Sequence, residues 1–596
     1  MSANDHKVVA VIDFGTHGTG FAWTTISPLN DDIATRDVYY FTNYSNARVD
    51  YPKNLTAILL RDDGSTVAWG HRARKMWAEA CDSGTTAGLG YAYAFKMALQ
   101  STGTNMDMPS SGGFVDVGDR DRVYRLIVAY LSEVRSAAIA EITQAGYLEK
   151  DIRWCLTVPA IWDEEDKHLM RRAAVAAGLP DGDDRLLLSI EPEAAALYCY
   201  LRMAELADGS GHTERLGLNV DGARFMVIDC GGGTVDITAY ETSAFGSEQI
   251  SLREIGVATG GRLGSEYINH AFRTKVLADR LGPAVLERLS ADYAEELLAL
   301  DAEWEQRKVT AETEERNGVA HIVDSVGIRL STTVWEMLDQ PVKERLTRES
   351  GGKPGRITIS AAEVEALFDH VVDGIVQKIR EQLTEIGRLG NGQLPETLVL
   401  VGGFARAGWL RARLHREFSD RHRILVPQNP ALAILEGAVH YAYRPEVLLS
   451  RRSRYTYGFA LAMPWEEGID PPERKLVSSE GEELCRGRFE IAVRRGQSVA
   501  VDEPFSFGLV PTKTAQEVIR VRLMRTRKTY PRYVDEEGCE QIGELTVDIR
   551  DSVGSPISKR NLLLLLYFGR TAIQAEALNP VTNQKSEATA EFEHMR

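Results

Sequence analysis

The chain has 596 residues, of which 44% are hydrophobic and 26% are charged, and it carries a formal net charge of −17. Because single hydrophobic cores stop growing at roughly 250–300 residues, this length predicts at least two domains. The negative charge repels the phosphates of nucleic acids and of anionic membranes, so we expect neither as a partner. The six cysteines form no Cys-x-x-Cys pair and the start of the chain has no apolar leader, which predicts a cytoplasmic protein without a zinc site.

The first element that carries chemistry is a glycine-rich turn close to the start of the chain. The apolar run 8–12 ends at Asp13, and Gly15, Thr16 and His17 follow before a second apolar run begins. Glycines allow backbone N–H groups to approach an oxyanion, and a carboxylate at the end of a strand can hold Mg²⁺ through water. Taken alone, such a hairpin is more often an ordinary tight turn.

The same unit occurs a second time in the chain. An apolar run ends at Asp229, and the turn that follows contains Gly231, Gly232, Gly233 and Thr234. Two such hairpins, facing each other, would bind phosphate groups from both sides. Neither turn opens a helix and the chain has no Gly-x-x-x-x-Gly-Lys-Ser/Thr segment, which argues against a P-loop or a Rossmann dinucleotide site.

A third glycine element follows the apolar run 396–401. Gly402 and Gly403 break this run, and Phe404 and Arg406 lead into an amphipathic stretch that is typical of a helix. A strand that reaches a helix N-terminus through glycines lets a nucleoside approach the backbone, and Arg406 could stack on the base. A simple strand-to-helix connection is the alternative interpretation.

Apolar spacing predicts the scaffold around these turns. Apolar residues recur at helical intervals over 126–145, 163–177 and 363–386, which indicates three helices. Pro445 ends the last predicted helix of this region, and beyond it the chain changes to short β-runs that are typical of a β-sandwich. These runs cover residues 457–463, 488–493, 498–507, 515–526, 544–549, 561–568 and 572–578.

The three glycine elements, in this order, resemble the phosphate-1, phosphate-2 and adenosine motifs of the superfamily that contains actin, hexokinase and the seventy-kilodalton heat-shock proteins. Two further segments, 156–162 and 189–196, narrow the resemblance to the heat-shock chaperones. The resemblance implies an α/β fold in which a duplicated ribonuclease-H-like, actin-like ATPase domain is followed by a C-terminal β-sandwich. It also implies that ATP or ADP binds with Mg²⁺ and that the protein is an ATPase.

Site residues follow from this resemblance by matching positions. Catalytic roles fall on Lys96, Asp13, Asp229, Glu191 and Thr234, and the two aspartates are the residues implied to hold Mg²⁺ through water. Nucleotide contacts are implied for a larger set of residues in the glycine turns and in two helical segments. This set consists of Gly15, Thr16, His17, Gly231, Gly232, Gly233, Thr234, Gly264, Glu266, Glu305, Lys308, Gly402, Gly403, Phe404 and Arg406.

Three positions depart from the usual pattern of the family. His17 stands where most members have a second threonine, Phe404 where they have serine, and Ala431 where they have an acidic residue. These departures resemble the divergent twelve-A/twelve-B branch of the family. They imply that ATP is hydrolysed slowly.

The resemblance divides the chain into an ATPase domain at 1–445, a linker at 446–454 and a polypeptide-binding β-domain at 455–596. The sequence leaves no room for the helical lid that usually follows the β-domain, so bound peptide should dissociate quickly. Arg451 and Arg452 directly follow the apolar part of the linker, and we expect them to weaken the coupling between nucleotide state and peptide release.

We therefore expect an ATP-binding, ATP-hydrolysing, chaperone-like protein whose nucleotide state regulates the binding of unfolded or extended polypeptide clients. Co-chaperones are further expected partners. Two other functions remain open, namely a catalytically weak nucleotide-sensing scaffold and a small-molecule kinase on the same fold. The long C-terminal β-region argues against the kinase, which needs a substrate pocket and no such region.

Overall fold

The computed structural model of the chain describes residues 6–26, 36–47, 51–100, 119–182, 184–202, 206–208, 218, 220–245, 249–316, 319–477, 481–509, 511, 515–550, 553, 560, 562–571, 573–578, 585–587 and 589–591. They form a mixed α/β structure with several sheets, which fits an actin-like ATPase fold. Within these ranges, no helix is both long and apolar enough to cross a membrane.

The first lobe consists of a central sheet, a small second sheet and helices packed on them. Its described elements are β1 (Val8–Phe14), β2 (Gly18–Thr25), β3 (Tyr39–Tyr40), β4 (Asn54–Leu55), β5 (Ala57–Arg61), β6 (Thr66–Trp69), α1 (Gly70–Asp82), β7 (Leu89–Tyr93), α2 (Arg120–Gln144), β8 (Ile152–Val158), α3 (Glu164–Ala176) and β9 (Leu186–Ile190). The central sheet has the order β3-β2-β1-β8-β9, with β4 also paired to β2. Strand β1 is antiparallel to β2 and parallel to β8, which is in turn parallel to β9.

The second lobe repeats this arrangement and adds a helical region. Its described elements are α4 (Glu191–Leu201), β10 (Leu206–Asp208), β11 (Arg224–Cys230), β12 (Val235–Phe245), β13 (Gln249–Glu254), β14 (Thr259–Gly261), α5 (Glu266–Ala271), α6 (Ala278–Leu281), α7 (Pro283–Asp292), α8 (Ala294–Thr310), β15 (Thr313–Arg316), β16 (Val319–Ile322), β17 (Val326–Arg329), α9 (Thr332–Met337), α10 (Gln340–Glu349), β18 (Arg356–Ile359), α11 (Ala361–Leu389), β19 (Thr397–Val401), α12 (Gly408–Phe418), β20 (Arg423–Pro427), α13 (Ala433–Tyr443) and β21 (Leu448–Arg452). Its main sheet runs β10-β20-β19-β11-β12-β13-β21. As in the first lobe, a hairpin, here β11 and β12, is joined by two parallel strands, β19 and β20.

Burial explains why these elements form. Strands β1 and β19 are buried at every position, and both are almost continuous apolar runs, as expected for strands covered on both faces. The three predicted helices are confirmed as α2, α3 and α11. Helix α11 begins with a capping box in which Ser360 and Glu363 exchange hydrogen bonds with each other's backbone N–H groups.

The C-terminal region consists of two sheets that share one hydrophobic core. Its described strands are β22 (Thr456–Pro464), β23 (Lys475–Val477), β24 (Glu483–Val493), β25 (Ser498–Ala500), β26 (Phe505–Leu509), β27 (Val518–Thr526), β28 (Cys539–Asp548), β29 (Leu562–Tyr567), β30 (Gln574–Leu578), β31 (Lys585–Glu587) and β32 (Thr589–Glu591). One sheet has the order β23-β24-β22-β27-β28-β32 and the other the order β26-β29-β30-β31. Phe459 and Leu523 from the first sheet and Leu564 from the second lie in the same buried cluster.

One β-run expected from the sequence is divided in the structure. Residues 498–507 form β25 and the start of β26, separated by the segment 501–504, which ends in Pro504, a residue without a backbone N–H group. Strand β25 leaves the C-terminal sheets and pairs with β21. Because β21 also pairs with β13, most of the segment 446–454 that was expected to be a linker is an internal strand of the second lobe's sheet.

Candidate functional site

A cleft between the two lobes brings the three glycine elements together. Its cavity has a volume of about 290 Å³. The described residues that line it are Asp13, Gly15, Thr16, His17, Gly18, Tyr51, Lys53, Asn54, Leu55, His71, Lys96, Glu191, Asp229, Gly231, Gly232, Gly233, Thr234, Gly402, Gly403, Ala431 and Ile434. All five residues expected to be catalytic therefore meet in one cavity.

The two hairpins hold their aspartates at matching positions. Asp13 is paired with Gly20 across β1 and β2, and Asp229 is paired with Asp236 across β11 and β12. In both hairpins the aspartate is the next-to-last residue of the first strand. The repeat in the sequence is therefore a repeat in the backbone.

The two turns approach each other so closely that larger residues would not fit. A Cβ atom at Gly232 would lie 2.9 Å from Cβ of His17, and one at Gly233 would lie 2.6 Å from Oγ1 of Thr16. Gly264 packs against the same turn, and its N–H group donates to the carbonyl of Gly233 at 3.3 Å. The second glycine turn is thus fixed by the segment that follows β14.

The third glycine element lines the cleft with the backbone of Gly402 and Gly403. Gly402 has a φ of +85°, and a Cβ atom there would lie 2.5 Å from Oδ1 of Asp229. Its N–H group donates to the carbonyl of Pro430 at 2.8 Å. At Gly403, a Cβ atom would meet no described atom within 4 Å, so the backbone is open to the cleft at this point.

Asp13 is buried, and its Oδ1 atom is hydrogen-bonded, whereas its Oδ2 atom has an ion-pair partner but no hydrogen bond of acceptable geometry among the described residues. Oδ2 lies 2.6 Å from Nζ of Lys53, and Oδ1 accepts a hydrogen bond from Oγ1 of Thr157 at 2.8 Å. Burial opposes the positive charge of Lys53, but the neighbouring Asp13, together with Tyr51 and Asp229, outweighs this effect, so that the pKa of Lys53 is raised above its usual value. The first hairpin therefore carries its own counter-ion.

Asp229 is also buried, but it is less well satisfied. Its Oδ1 atom has no hydrogen-bond partner among the residues that the structure describes. Burial raises the pKa of Asp229 well above its usual value, and the nearby carboxylates of Glu191 and Asp236 raise it further. Because a buried carboxylate without partners is unfavourable, this position favours an incoming cation or hydrogen-bond donor.

Lys96 lies on a single 3₁₀ turn, Phe95–Leu99, and its side chain is fully buried. Its Nζ atom is 2.6 Å from Oε1 of Glu191, the first residue of α4, and stands 5.6 Å and 5.4 Å from the ring centres of Phe14 and Trp162. Burial raises the pKa of Glu191 to about 7, although the charge of Lys96 acts in the opposite direction. The pair places a cation and a titratable carboxyl side by side in the cleft.

A second polar cluster joins the lobes beside the cavity. Nδ1 of His17 lies 2.7 Å from Oε1 of Glu266, and the hydroxyl of Tyr93 contacts His17 and donates to the same oxygen at 3.0 Å. Burial opposes ionisation of Glu266, but the hydrogen bond and charge of His17, together with Lys308, hold the pKa of Glu266 down to about 2. His17 and Tyr93 belong to the first lobe and Glu266 to the second, so this cluster links the two across the cleft.

Glu305 and Lys308, which were both expected to contact nucleotide, form an ion pair with each other. Nζ of Lys308 lies 2.6 Å from Oε2 of Glu305 and donates to Oδ1 of Asn269 at 2.7 Å. The amide of Asn269 donates in turn to Glu305 at 2.9 Å and to Glu266 at 3.2 Å. These side chains form one network next to the second glycine turn and are not part of the described cavity lining.

The side chain of Phe404 points away from the cavity. The segment Gly403–Arg406 is a 3₁₀ turn that places Phe404 in the core of the second lobe, where its ring centre is 6.2 Å from that of Phe368. Arg406 is exposed and does not belong to the described lining. Of this element, the backbone of Gly402 and Gly403 is what reaches the cavity.

Several lining residues were missed by the reasoning from the sequence. Tyr51, Lys53 and Asn54 reach the cavity because they lie in or just before the two-residue strand β4, which pairs with β2. His71 reaches it from α1, where its N–H group donates to Oδ1 of Asn54. Thr157 reaches Asp13 from the neighbouring strand β8. A short strand and a lone threonine carry no spacing pattern that could have identified them.

The residues present fit a nucleotide and a cation. The glycine turns offer backbone N–H groups, and Lys53 and Lys96 offer positive charge to phosphate oxygens. The unpartnered oxygen of Asp229 suits a metal-bound water, whereas Asp13 already has Lys53 as its partner. In the described part of the chain, no three His, Cys, Asp or Glu side chains converge to hold a metal ion directly, so Mg²⁺ would be held here through water and phosphate oxygens.

Sequence comparison finds relatives along nearly the whole chain. The mouse protein named heat shock 70 kDa protein 12A is 28% identical over 648 aligned residues, which cover 98% of this chain and 91% of that protein. The human heat shock 70 kDa protein 12B is 28% identical over 652 aligned residues, with the same coverage of 98% and 91%. The chaperone protein DnaK of Thermoplasma volcanium is 24% identical over 291 residues, which cover 48% of this chain and 39% of that protein. No protein-family profile matches the chain.

Proposed function

Because this chain belongs to a divergent, 12A/12B-like branch of the 70 kDa heat-shock family, we propose that it binds ATP with Mg²⁺ between its two lobes and hydrolyses it slowly. In this proposal, the nucleotide state regulates the binding of unfolded or extended polypeptide by the C-terminal region, whose two sheets we interpret as a β-sandwich. The observation that carries the proposal is the pair of glycine hairpins, which face each other with Asp13 and Asp229 at matching positions.

The chemistry assigned to the cleft uses a small set of groups. The backbone N–H groups of the two glycine turns bind the phosphates, and Lys96 keeps a positive charge close to them. When bound, Mg²⁺ neutralises charge on the phosphate oxygens. Glu191, with a pKa of about 7, accepts the proton of the attacking water at Oε2, because Oε1 is held by Lys96.

Arg451 connects this site to the C-terminal region. It binds both carboxylate oxygens of Glu193, at 2.6 Å and 2.7 Å, and also donates to the carbonyl of Gly569. Glu193 lies on α4 two residues after Glu191, which is in the cleft. The sequence suggested that the arginines after the linker weaken coupling; since Arg451 is a buried contact between the regions, we propose instead that it carries coupling.

Arg454 makes a second bridge between the regions. Its guanidinium donates to the backbone carbonyls of residues 160, 161 and 162 at 2.7, 3.0 and 2.7 Å. The N–H group of Ile161 donates to Oδ1 of Asp236 at 2.9 Å, and Asp236 is the cross-strand partner of Asp229. A shift of the second hairpin can therefore be transmitted to the C-terminal sheets through Asp236, residues 160–162 and Arg454.

Two measurements on the 596-residue chain test this proposal. Calorimetry should show that ATP binds in the presence of Mg²⁺. Stopped-flow release of a fluorescent extended peptide should differ between ATP and ADP by more than about fivefold, which corresponds to a coupling of about 1 kcal/mol. Arg451→Ala should reduce this difference, whereas Arg520→Ala, an exposed arginine of β27, should leave it unchanged.

Each outcome separates the candidate functions. Hydrolysis with nucleotide-dependent peptide release supports the regulated chaperone. ATP binding without turnover and without an effect on peptide would favour the nucleotide-sensing scaffold, and absence of ATP binding would contradict both. Peptide release that is equal in the two nucleotides would contradict the coupling role of Arg451.

A further inference from the structure

We propose that Lys53 is a built-in cation of the phosphate site, and that it makes nucleotide binding by this chain much less dependent on Mg²⁺ than a site with two aspartates alone would be. The inference rests on the proposed nucleotide site and assigns a role to a residue that the sequence did not reveal. Its basis is the position of the Lys53 ammonium group within the cleft.

The ammonium group of Lys53 contacts the carboxylate of Asp13, to which a metal ion could otherwise bind. Nζ lies 2.6 Å from Oδ2 of Asp13, and the other oxygen of Asp13 accepts a hydrogen bond from Thr157 at 2.8 Å. One oxygen is thus hydrogen-bonded, and the other is in ion-pair contact with the ammonium group but has no hydrogen bond of acceptable geometry among the described residues. A divalent cation that approaches Asp13 has to share it with the ammonium group or displace that group.

The backbone fixes Lys53 at this place. The next residue, Asn54, belongs to β4, which pairs with β2 of the first hairpin, and its Oδ1 atom accepts a hydrogen bond from the N–H group of His71 at 2.8 Å. A Cβ atom at Gly20 would lie 3.1 Å from Cγ of Lys53, so the lysine stem passes closely over the hairpin. With its side chain 16% exposed, Lys53 faces the cavity and not bulk solvent.

The charges of the cleft explain why this lysine matters. Asp13, Glu191 and Asp229 bring carboxyl groups to the cavity, and the phosphates of a nucleotide add more negative charge. Lys96 is committed to Glu191 at 2.6 Å. Of the two lysines in the described lining, Lys53 is therefore the one that offsets the charge of Asp13 before any metal ion arrives.

The test compares ADP binding by the full-length protein in Mg²⁺ and after chelation with EDTA. The wild-type protein should lose less than about tenfold in affinity on chelation. Lys53→Met, which keeps the stem and removes the charge, should bind ADP well in Mg²⁺ and lose at least about tenfold more affinity than the wild type on chelation. Lys53→Arg should behave like the wild type, as should the control Lys7→Met, which removes an exposed lysine paired with Asp151.

A second readout does not depend on nucleotide. Without ADP, electron paramagnetic resonance should show that Mn²⁺ binds more tightly to Lys53→Met than to the wild type, because Asp13 is freed. Equal chelation losses in the wild type and Lys53→Met, or equal Mn²⁺ affinities, would overturn the inference. A wild-type loss well above tenfold would do the same, whereas failure of ADP to bind even in Mg²⁺ would contradict the proposed nucleotide site itself.

Discussion

Asp13 and Asp229 occupy the same position in their two hairpins, but their surroundings differ. Asp13 forms an ion pair with Lys53 through Oδ2 and accepts a hydrogen bond from Thr157 at Oδ1, whereas Oδ1 of Asp229 has neither kind of contact among the described residues. The difference comes from the segments next to each aspartate. Strand β8 supplies a threonine hydroxyl beside Asp13, and the segment before β4 supplies Lys53. Strand β19 is followed by Gly402, which has no side chain to cover Asp229.

The duplicated backbone and the segments next to it determine different properties of the two aspartates. The shared strand register fixes where each carboxylate lies, and the adjoining segments fix whether it is neutralised. The charge of Asp13 is therefore compensated without a ligand, whereas the carboxyl group of Asp229 is available to one. The pKa of Asp229 is raised by burial and by the carboxylates of Glu191 and Asp236. A negative charge is therefore less favourable at Asp229 than it would be in water.

The comparison predicts that both halves are needed for turnover. Asp13→Asn and Asp229→Asn should each slow ATP hydrolysis by about 100-fold or more, because Asp229 positions the water-bound cation and Asp13 holds the ammonium group of Lys53 beside the phosphates. Single-turnover assays on the purified variants measure this. Asp548→Asn, an exposed aspartate of β28, is the matched control, and a wild-type rate in either cleft variant would refute the role of that aspartate in turnover.

The same two substitutions should have different effects on stability. Asp13→Asn should lower the free energy of unfolding by about 2–3 kcal/mol, because it leaves Lys53 in the cleft without its partner. Asp229→Asn should leave stability unchanged or raise it, because an amide does not carry a charge into a buried site. Urea unfolding of both variants measures the difference.

The effect at Asp229 should also depend on pH. Since its pKa is raised in the folded protein, the unfolded chain loses its proton first, and wild-type stability should fall as pH rises above the usual range of an aspartate. The gain of Asp229→Asn over the wild type should therefore be larger at pH 8 than at pH 5. A gain that shrinks with rising pH would contradict the buried, uncompensated state of this carboxyl.

Lys96 lies between the halves and should act on the reaction more than on binding. Lys96→Ala should change ATP affinity by less than tenfold, or about 1.4 kcal/mol, while slowing hydrolysis by more than that factor. Calorimetry and a rate assay on the same preparation separate the two effects. A loss confined to affinity would make Lys96 a contact to bound phosphate and not a catalytic group.

Glu191 should give the smallest effect, visible as a pH profile. With a pKa of about 7, it changes from mostly protonated at pH 6 to mostly ionised at pH 8, so the hydrolysis rate should rise by nearly tenfold over this range. Glu191→Gln should be slower and should flatten the profile. A profile of unchanged shape in this variant would assign the titration to another group.

The sequence was sufficient for the features that depend on local pattern. The two aspartate–glycine turns, the helices α2, α3 and α11, and most β-runs of the C-terminal region were predicted from apolar spacing and glycine placement. The resemblance to the 70 kDa heat-shock family and its 12A/12B branch is confirmed over 98% of the chain. The turns, helices and β-runs, and the motifs that carried the resemblance, are encoded in short stretches of residues.

What the sequence did not reveal depends on contacts between distant segments. Lys53 becomes a site residue only because β4 pairs with β2, and Phe404 leaves the site because a 3₁₀ turn directs its ring into the core. From the sequence, Arg451 was interpreted as an interruption of a linker. In the structure it binds Glu193, which lies 258 positions away in the chain. No local pattern encodes such contacts.

Strand β25 has a consequence for how the protein can be divided. It belongs by sequence to the C-terminal region, but it covers β21, which in turn covers the edge of β13. A protein cut at 445 would lose both strands and expose the N–H and C=O groups along β13, an open edge that invites aggregation. We therefore expect a version that ends beyond Ala500 to be more soluble than the shorter one, and the intact chain to unfold its second lobe and C-terminal region in a single cooperative transition.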